Sequence, residues 1–273
     1  MNFASAKYYY TKDMWDVDSW IDVVSIEYEK LIEKFPFDEK LQPFAEKGII
    51  RLLDIGCGTA IFPSYLDKEL SDNIHLCCDL LDVSDSSLQA ARRVLNRLDH
   101  FSVHRAYQSL IEDIPAALSG NEGYYDVIWA IHSCTTVDVA RMTDVYRRLF
   151  DLIAPDGCLF IYQLTARSSY QKLHNYYLTQ HANGQNSTPF MEYEDTQRIL
   201  DCLGARYEAH EIFFHHEIDD RKSDLLEKYL RKCILDDSVD VLEFFESALQ
   251  EFHDKNSHTY RIPQFVNFVE VTK

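Results

Sequence analysis

The sequence predicts a doubly wound α/β fold: a mostly parallel, seven-stranded sheet with a helical cap before it and helical insertions near its end. Three observations carry that prediction. From residue 51 to about 164, short apolar runs alternate with amphipathic stretches at helical spacing. The first such run, in RLLDIGCGTA at 51–60, breaks on two glycines and leads into a helix. A later pair of runs, YYDVIWAIHSC and CLFIYQL, brackets one helix and the turn APDG, completing a βαβ unit.

Residues 1–48 form the cap. Trp20, Val23, Val24, Glu27, Leu31 and Phe35 share one helical face, with Asp18 or Ser19 placed to cap it. The aromatic cluster before it, Tyr8, Tyr9, Tyr10 and Trp15, either packs against the body or closes over a site. Aromatic faces attract a cationic group, which makes Tyr10 and Trp15 candidate substrate contacts.

Residues 49–165 form the ligand-binding core. Leu52, Leu53 and Ile55 make the first strand around Asp54, and Ile61, Tyr65, Leu66 and Leu70 mark the following helix. A second strand, about 74–79, continues into LLDVSDSSL. Leu88, Ala91, Val94, Leu95 and Leu98 then define a helix capped by Ser84 or Asp85. A third, poorly marked strand covers 102–106 and a fourth begins at Tyr124. A helix over 137–152 and the APDG turn lead to the strand at 158–164. Right-handed crossovers place a ligand at the C-terminal ends of such strands.

Residues 166–273 supply substrate-side insertions and the last strands of the same single domain. The stretch 166–191 lacks periodicity and carries the turn signal Asn183-Gly184. A helix at 192–203 stops at Gly204, a strand covers 207–214, and helices follow at 223–234 and 239–252. QFVNFVEV is the last strand. The insertions 166–191 and 218–258 are expected to form walls or a lid.

Acids outnumber bases 45 to 27 in 273 residues, a net charge of −18. That balance disfavours nucleic acid and anionic lipid and favours a small, cationic partner. Seven cysteines, with Cys57, Cys77, Cys78 and Cys158 in apolar runs, suggest reduced thiols and a cytoplasmic protein. MNFASAKYYY lacks a signal-peptide core, and no 18-residue apolar run exists to span a bilayer. No metal is expected. The break after Leu98 separates His100 from His104, and of His210, His215 and His216 on one strand, His215 and His216 point to opposite faces. No G-x-S-x-G elbow is present.

The chemistry centres on the glycine turn, which presents backbone N–H groups and a helix N-terminus to a ligand. A dinucleotide fingerprint would place Ile61 in its last slot, where a small residue belongs, which disfavours a nicotinamide oxidoreductase. A G-x-G-x-G pattern places Ala60 there instead. With Asp54 ahead of it, LLDIGCGTA resembles motif I of the class I, Rossmann-like methyltransferases that use S-adenosylmethionine (SAM).

That resemblance implies SAM as methyl donor, released as S-adenosylhomocysteine, with Asp54, Gly56, Gly58 and Thr59 around it. Asp82, beyond the second strand, is positioned to accept ribose hydroxyls, with Asp79 as rival and Asp85 as a helix cap. Tyr107 and Gln108 end the third strand, on the adenine side, and Ala130 and Ile131 end the fourth. His132 follows across the switch point, where an imidazole orients a substrate or takes a proton, with Ser133, Thr135 and Thr136 on the same floor.

The downstream half is similar in layout to the histamine N-methyltransferase-like enzymes. The parallel runs through YDVIWAIHSCTTV, RRLFDLIAPDGCLFIY, YEDTQRILDCLGARYE and QFVNFVEV. It implies a small amine acceptor held between N-terminal, insertion and C-terminal elements. A glutamine amine contact of that family falls on His132, two tyrosines fall on Thr135 and Thr136, and an asparagine falls on Gln264. These departures point to an acceptor other than histamine. Transfer to a hydroxyl or carboxyl, or a SAM-fold binding protein without turnover, are the alternatives, and the oligomeric state is left open.

Overall fold

The computed structural model of the protein describes residues 17–180, 189–236 and 238–273. Its strands are continuous apolar runs, and such runs require cover on both faces. β1 (Ile50–Ile55), β2 (Leu76–Asp82), β3 (Phe101–Gln108), β4 (Tyr125–Ile131) and β5 (Ile153–Leu164) pair in parallel. β6 (Arg206–Asp219) precedes a two-residue strand, β7 (His253–Asp254), and the long β8 (Thr259–Thr272). β8 inserts antiparallel between β5 and β6, giving the order β3-β2-β1-β4-β5-β8-β6, with β7 paired to β8 off that path. The seven-stranded, mostly parallel sheet expected from the sequence is therefore present.

Among the described residues, the helices of eight or more residues are α1 (Val17–Lys34), α2 (Phe37–Ala45), α4 (Asp85–Leu95), α5 (Val139–Leu152), α6 (Ser169–Gln180), α7 (Tyr193–Cys202) and α8 (Ser223–Ile234); the shorter α3 is Ile61–Leu66. One apolar layer joins side chains of α1, α2, α3, α4, α6 and α8 to one face of the sheet. A second joins α5 and α7 to the other. β4 shows the alternation that separates them: Val127, Trp129 and Ile131 enter the first layer, Ile128 and Ala130 the second. β1 bonds to both β2 and β4, so the direction of winding reverses there. A cleft opens at this reversal.

Local signals explain the element ends. The Ser84 hydroxyl accepts from Ser87 N–H at 3.2 Å and caps α4, so Ser84 rather than Asp85 holds that role. Asp138 caps α5 through Ala140 N–H at 3.0 Å. Glu192 and Asp195 form a capping box on α7.

Several stretches differ from the sequence expectation. β2 runs on to Asp82, and β3 is a full eight residues because every position from Phe101 to Gln108 except His104 finds a partner on β2. The expected loop 166–191 contains α6; polar Gln171 and His174 share its buried side with Tyr170, Leu173 and Tyr177, which erases the hydropathy pattern. Asn183 and Gly184 lie outside the described residues. The expected helix 239–252 is two short helices, Val241–Phe244 and Glu246–Leu249, parted at Phe245, which is fully buried with φ −97° and ψ 6°.

All seven cysteines are free, with Cys57, Cys78 and Cys158 buried and Cys77 half-buried. No described helix is long and apolar enough to cross a membrane.

Candidate active site

The turn after β1 is shaped by contact and by backbone conformation. Gly56 has φ +66°, and a Cβ there would sit 2.4 Å from the Cβ of Ser133, in the loop after β4. Gly58 has φ +52°, and a Cβ there would meet nothing within 4 Å. The first glycine thus lets two loops touch; the second keeps open space where a ligand's chain would lie. Ala60, in the slot where the related pattern has glycine, adopts the same left-handed region at φ 62° and precedes α3.

Asp82 fastens this turn to β2. One carboxylate oxygen accepts from Gly58 N–H at 2.9 Å and the other from Ser84 N–H at 2.8 Å. Burial pushes its carboxyl above the ordinary range, against the pull of those amides. Asp54 is 4% exposed, and burial pushes it up to about 7; the Asp82 charge adds to that and the Trp129 indole opposes it. Asp79, the rival for Asp82, is buried and engaged by the Tyr125 hydroxyl at 2.8 Å and His104 Nδ1 at 3.0 Å. It is spent on structure.

A cavity of about 490 Å³ lies above the ends of β1, β2 and β4. It brings together Asp54, Gly56, Gly58, Thr59, Asp82, Ile131, His132, Ser133, Thr135 and Thr136 from the sequence-derived set. Four others lie elsewhere. Ala130 faces the second apolar layer, because β4 alternates and its side chain points away from the cavity face. Tyr107 packs on that same layer, and exposed Gln108 donates to Val83 C=O at 3.2 Å. Gln264 is fully buried, donating to the Tyr229 hydroxyl at 3.0 Å and accepting from Tyr170 N–H at 3.4 Å. Tyr10 and Trp15 lie outside the described residues.

His132, the residue after β4, is in a left-handed conformation, φ 59°, a strained setting of the kind found at ligand sites. Its Nε2 pairs with the carboxylate of Glu27, which α1 lowers into the cavity wall. Glu27 is 2% exposed. It also accepts from the Tyr162 hydroxyl at 2.9 Å and pairs with His216 Nε2 at 2.5 Å. Burial works against its ionisation, but the flanking His132 and His216 outweigh that and hold the carboxyl well below the usual range. The Tyr28 ring meets His132 edge-on at 5.9 Å and also touches Phe62 and Tyr65. Burial pushes its phenol upward, so it stays neutral.

Glu27, Tyr28 and His216 were not among the sequence-derived site residues. The signal was an acid on the apolar stripe of α1, between Val23, Val24 and Leu31, where an unpaired charge is costly. Elsewhere, Glu208, His210 and Glu270 approach one another within 4.8 Å on β6 and β8, where Lys40 already pairs with Glu270 at 2.6 Å.

The donor side fits SAM on three counts: open space over Gly58, an acidic Asp82 anchored at the turn, and Asp54 available to a cation. Residues 53–159 match the sequence family of the methyltransferase domain. No curated protein matches the chain. Among solved structures, the chain is similar to the YcgJ protein of Bacillus subtilis, at 10% identity over 86% of this chain and 98% of that one, TM-score 0.53. It is likewise similar to a protein of Bacillus halodurans C-125 assigned as a methyltransferase, at 12% identity over 86% and 97%, TM-score 0.55. At these identities the likeness is one of fold. The family match, with its glycine turn and anchored Asp82 at the reversal of the sheet, makes residues 53–159 a methyltransferase domain.

Proposed function

We propose that the protein methylates the nitrogen of a small amine. The observation that carries this reading is a cavity of about 490 Å³ lined both by the donor-side turn and by His132. That volume is in the range of small-ligand sites.

The residues divide by task. Backbone at Gly56 and Gly58 holds the methionine portion of the donor, Asp82 the ribose, and Asp54 its positive charge. When bound, SAM supplies an electrophilic methyl group on a cationic sulfur, so the protein's work is alignment and exclusion of water. Thr135, Thr136 and Leu164 line the acceptor side. An ammonium acceptor must lose a proton before its lone pair can attack, and His132 takes it. The net charge of −18 draws cationic amines toward the molecule.

A hydroxyl acceptor is the second reading. It demands a firmer base, and the carboxylate beside His132 is the feature that favours it.

Transfer of labelled methyl from SAM onto a panel of amines and hydroxylated metabolites tests both. Label in amines supports the first reading, label in hydroxyls alone moves the assignment to the second, and SAM binding with no label anywhere leaves a binding protein. With an accepted amine, His132→Ala should lower turnover by about 10²–10⁴-fold, the usual weight of a proton-transfer residue, with SAM affinity nearly unchanged. Unchanged turnover would reduce His132 to a packing residue.

A further inference from the structure

We propose that Glu27 is the positioning residue that makes His132 a proton acceptor: it holds the imidazole in its Nε2–H form and leaves Nδ1 to receive the proton of the acceptor nitrogen. The inference rests on the methyl-transfer reading and adds a residue from outside the matched domain.

A buried hydrogen-bond chain assigns the protons. Gln264 Oε1 accepts from Tyr170 N–H at 3.4 Å, which orients the amide and makes its Nε2 the donor to the Tyr229 hydroxyl at 3.0 Å. The Tyr229 hydroxyl, already accepting from Gln264, lies 3.1 Å from His216 Nδ1, in position to donate there. His216 is then neutral, carries its proton on Nε2 and donates it to Glu27 Oε1 at 2.5 Å. Tyr162 donates to Glu27 Oε2 at 2.9 Å. Two neutral donors stabilise the carboxylate without cancelling its charge, so His132 is the one group of this cluster left to do so.

The proton count closes. With Nε2–H directed at Glu27, the basic nitrogen of His132 is Nδ1. As the acceptor's N–H bond breaks, its electron pair stays on nitrogen for attack, the proton joins Nδ1, and Glu27 is the counter-ion of the new imidazolium. Carboxylate, imidazole and ammonium become carboxylate, imidazolium and amine, with no change in net charge. The other titratable groups around this pair are Tyr28 on α1, Asp54 on β1, Tyr162 on β5, His216 on β6 and Tyr229 on α8. Burial pushes all three phenols up and keeps them neutral. Asp54 belongs to the donor side.

The test needs no acceptor. Full-length protein carrying ¹⁵N-labelled histidine, with S-adenosylhomocysteine added as probe, is followed by NMR from about pH 5 to 9. His132 should show the Nε2–H tautomer when neutral. Its titration midpoint should fall by about one unit or more in Glu27→Gln, a tenfold change in proton affinity, and return most of the way in Glu27→Asp. An Nδ1–H tautomer in the wild type, or an unmoved midpoint in Glu27→Gln, overturns the proposal. If Glu27→Gln does not fold, the wild-type tautomer decides alone. Either failure leaves the methyl-transfer reading standing, because labelled transfer tests that separately.

Discussion

The backbone N–H of Gly58 donates to the Asp82 carboxylate across 2.9 Å, so the turn that faces the donor and the acid expected to hold its ribose are one rigid unit. A residue at the end of β2 therefore acts on the ligand directly and through the loop after β1.

That coupling gives Asp82→Ala two consequences. SAM affinity should fall by about 10–100-fold, as expected when hydrogen bonds to a charged group worth roughly 1.5–3 kcal/mol are lost. Gly58 and Ser84 also lose their shared acceptor, so the melting temperature should drop even without ligand. Calorimetric titration and thermal unfolding measure the two effects; near-normal affinity would move the ribose contact elsewhere.

The two glycines should respond in opposite ways to alanine. Gly56→Ala drives a methyl to 2.4 Å from Ser133 Cβ in a left-handed backbone, and should cost about 2–4 kcal/mol of stability from overpacking and strain together. Gly58→Ala meets no neighbour and should cost only about 1–2 kcal/mol for its conformation. Its methyl projects into open space, so SAM binding should suffer more than folding. Denaturant unfolding beside SAM titration separates the pair, and equal folding losses would refute the contact at Ser133.

Asp54 should make stability depend on pH. Burial holds its carboxyl at about 7 against an ordinary 3.8, so the folded state favours the protonated form. That contribution is complete below about pH 4 and is lost as pH rises toward 7, above which the difference is constant. Asp54→Asn removes the titration, so its stability relative to wild type should climb between pH 4 and 7, by an amount on the order of 2–4 kcal/mol. Urea midpoints at several pH values check this; a flat difference would mean Asp54 is ionised throughout.

Ala60 carries strain that glycine would not. At φ 62° an alanine costs about 1–2 kcal/mol over glycine, partly offset by glycine's greater freedom when unfolded. Ala60→Gly should raise the unfolding midpoint slightly, by up to about 1 kcal/mol. A loss of stability would show that its methyl packs better than its backbone suffers, which its complete burial makes the competing effect.

The donor side of this site was legible because each part is a short-range pattern. Leu52, Leu53 and Ile55 read as a buried strand, Gly56 and Gly58 as its turn, and Asp82 as the acid beyond the next strand. The acceptor side was not, because it is assembled from residues far apart in the chain. Glu27 read as one position on a helical face, and His216 as half of a pair tested only for metal. Neither residue's neighbours in sequence reveal that a carboxylate and an imidazole meet. Ala130 failed for a simpler reason: alternation along β4 allots its side chain to the other face, and the neighbouring Ile131 takes the cavity. α6 was missed because its buried side includes Gln171 and His174, whose polarity is satisfied by Met191 C=O and Cys233 C=O at 3.0 and 2.9 Å.

Glu27 and His216 stand 189 positions apart, yet they share one short contact inside the wall of the cavity. During synthesis α1 is made before the sheet; His132 is the first imidazole available to its acid, and the second, His216, comes only 189 residues after Glu27. Seating that helix is consequently a late step, slowed by the long loop it must close. The donor half can be shaped before then, so the pocket is finished from the acceptor side inward, by a helix that precedes the sheet meeting a strand made long after it.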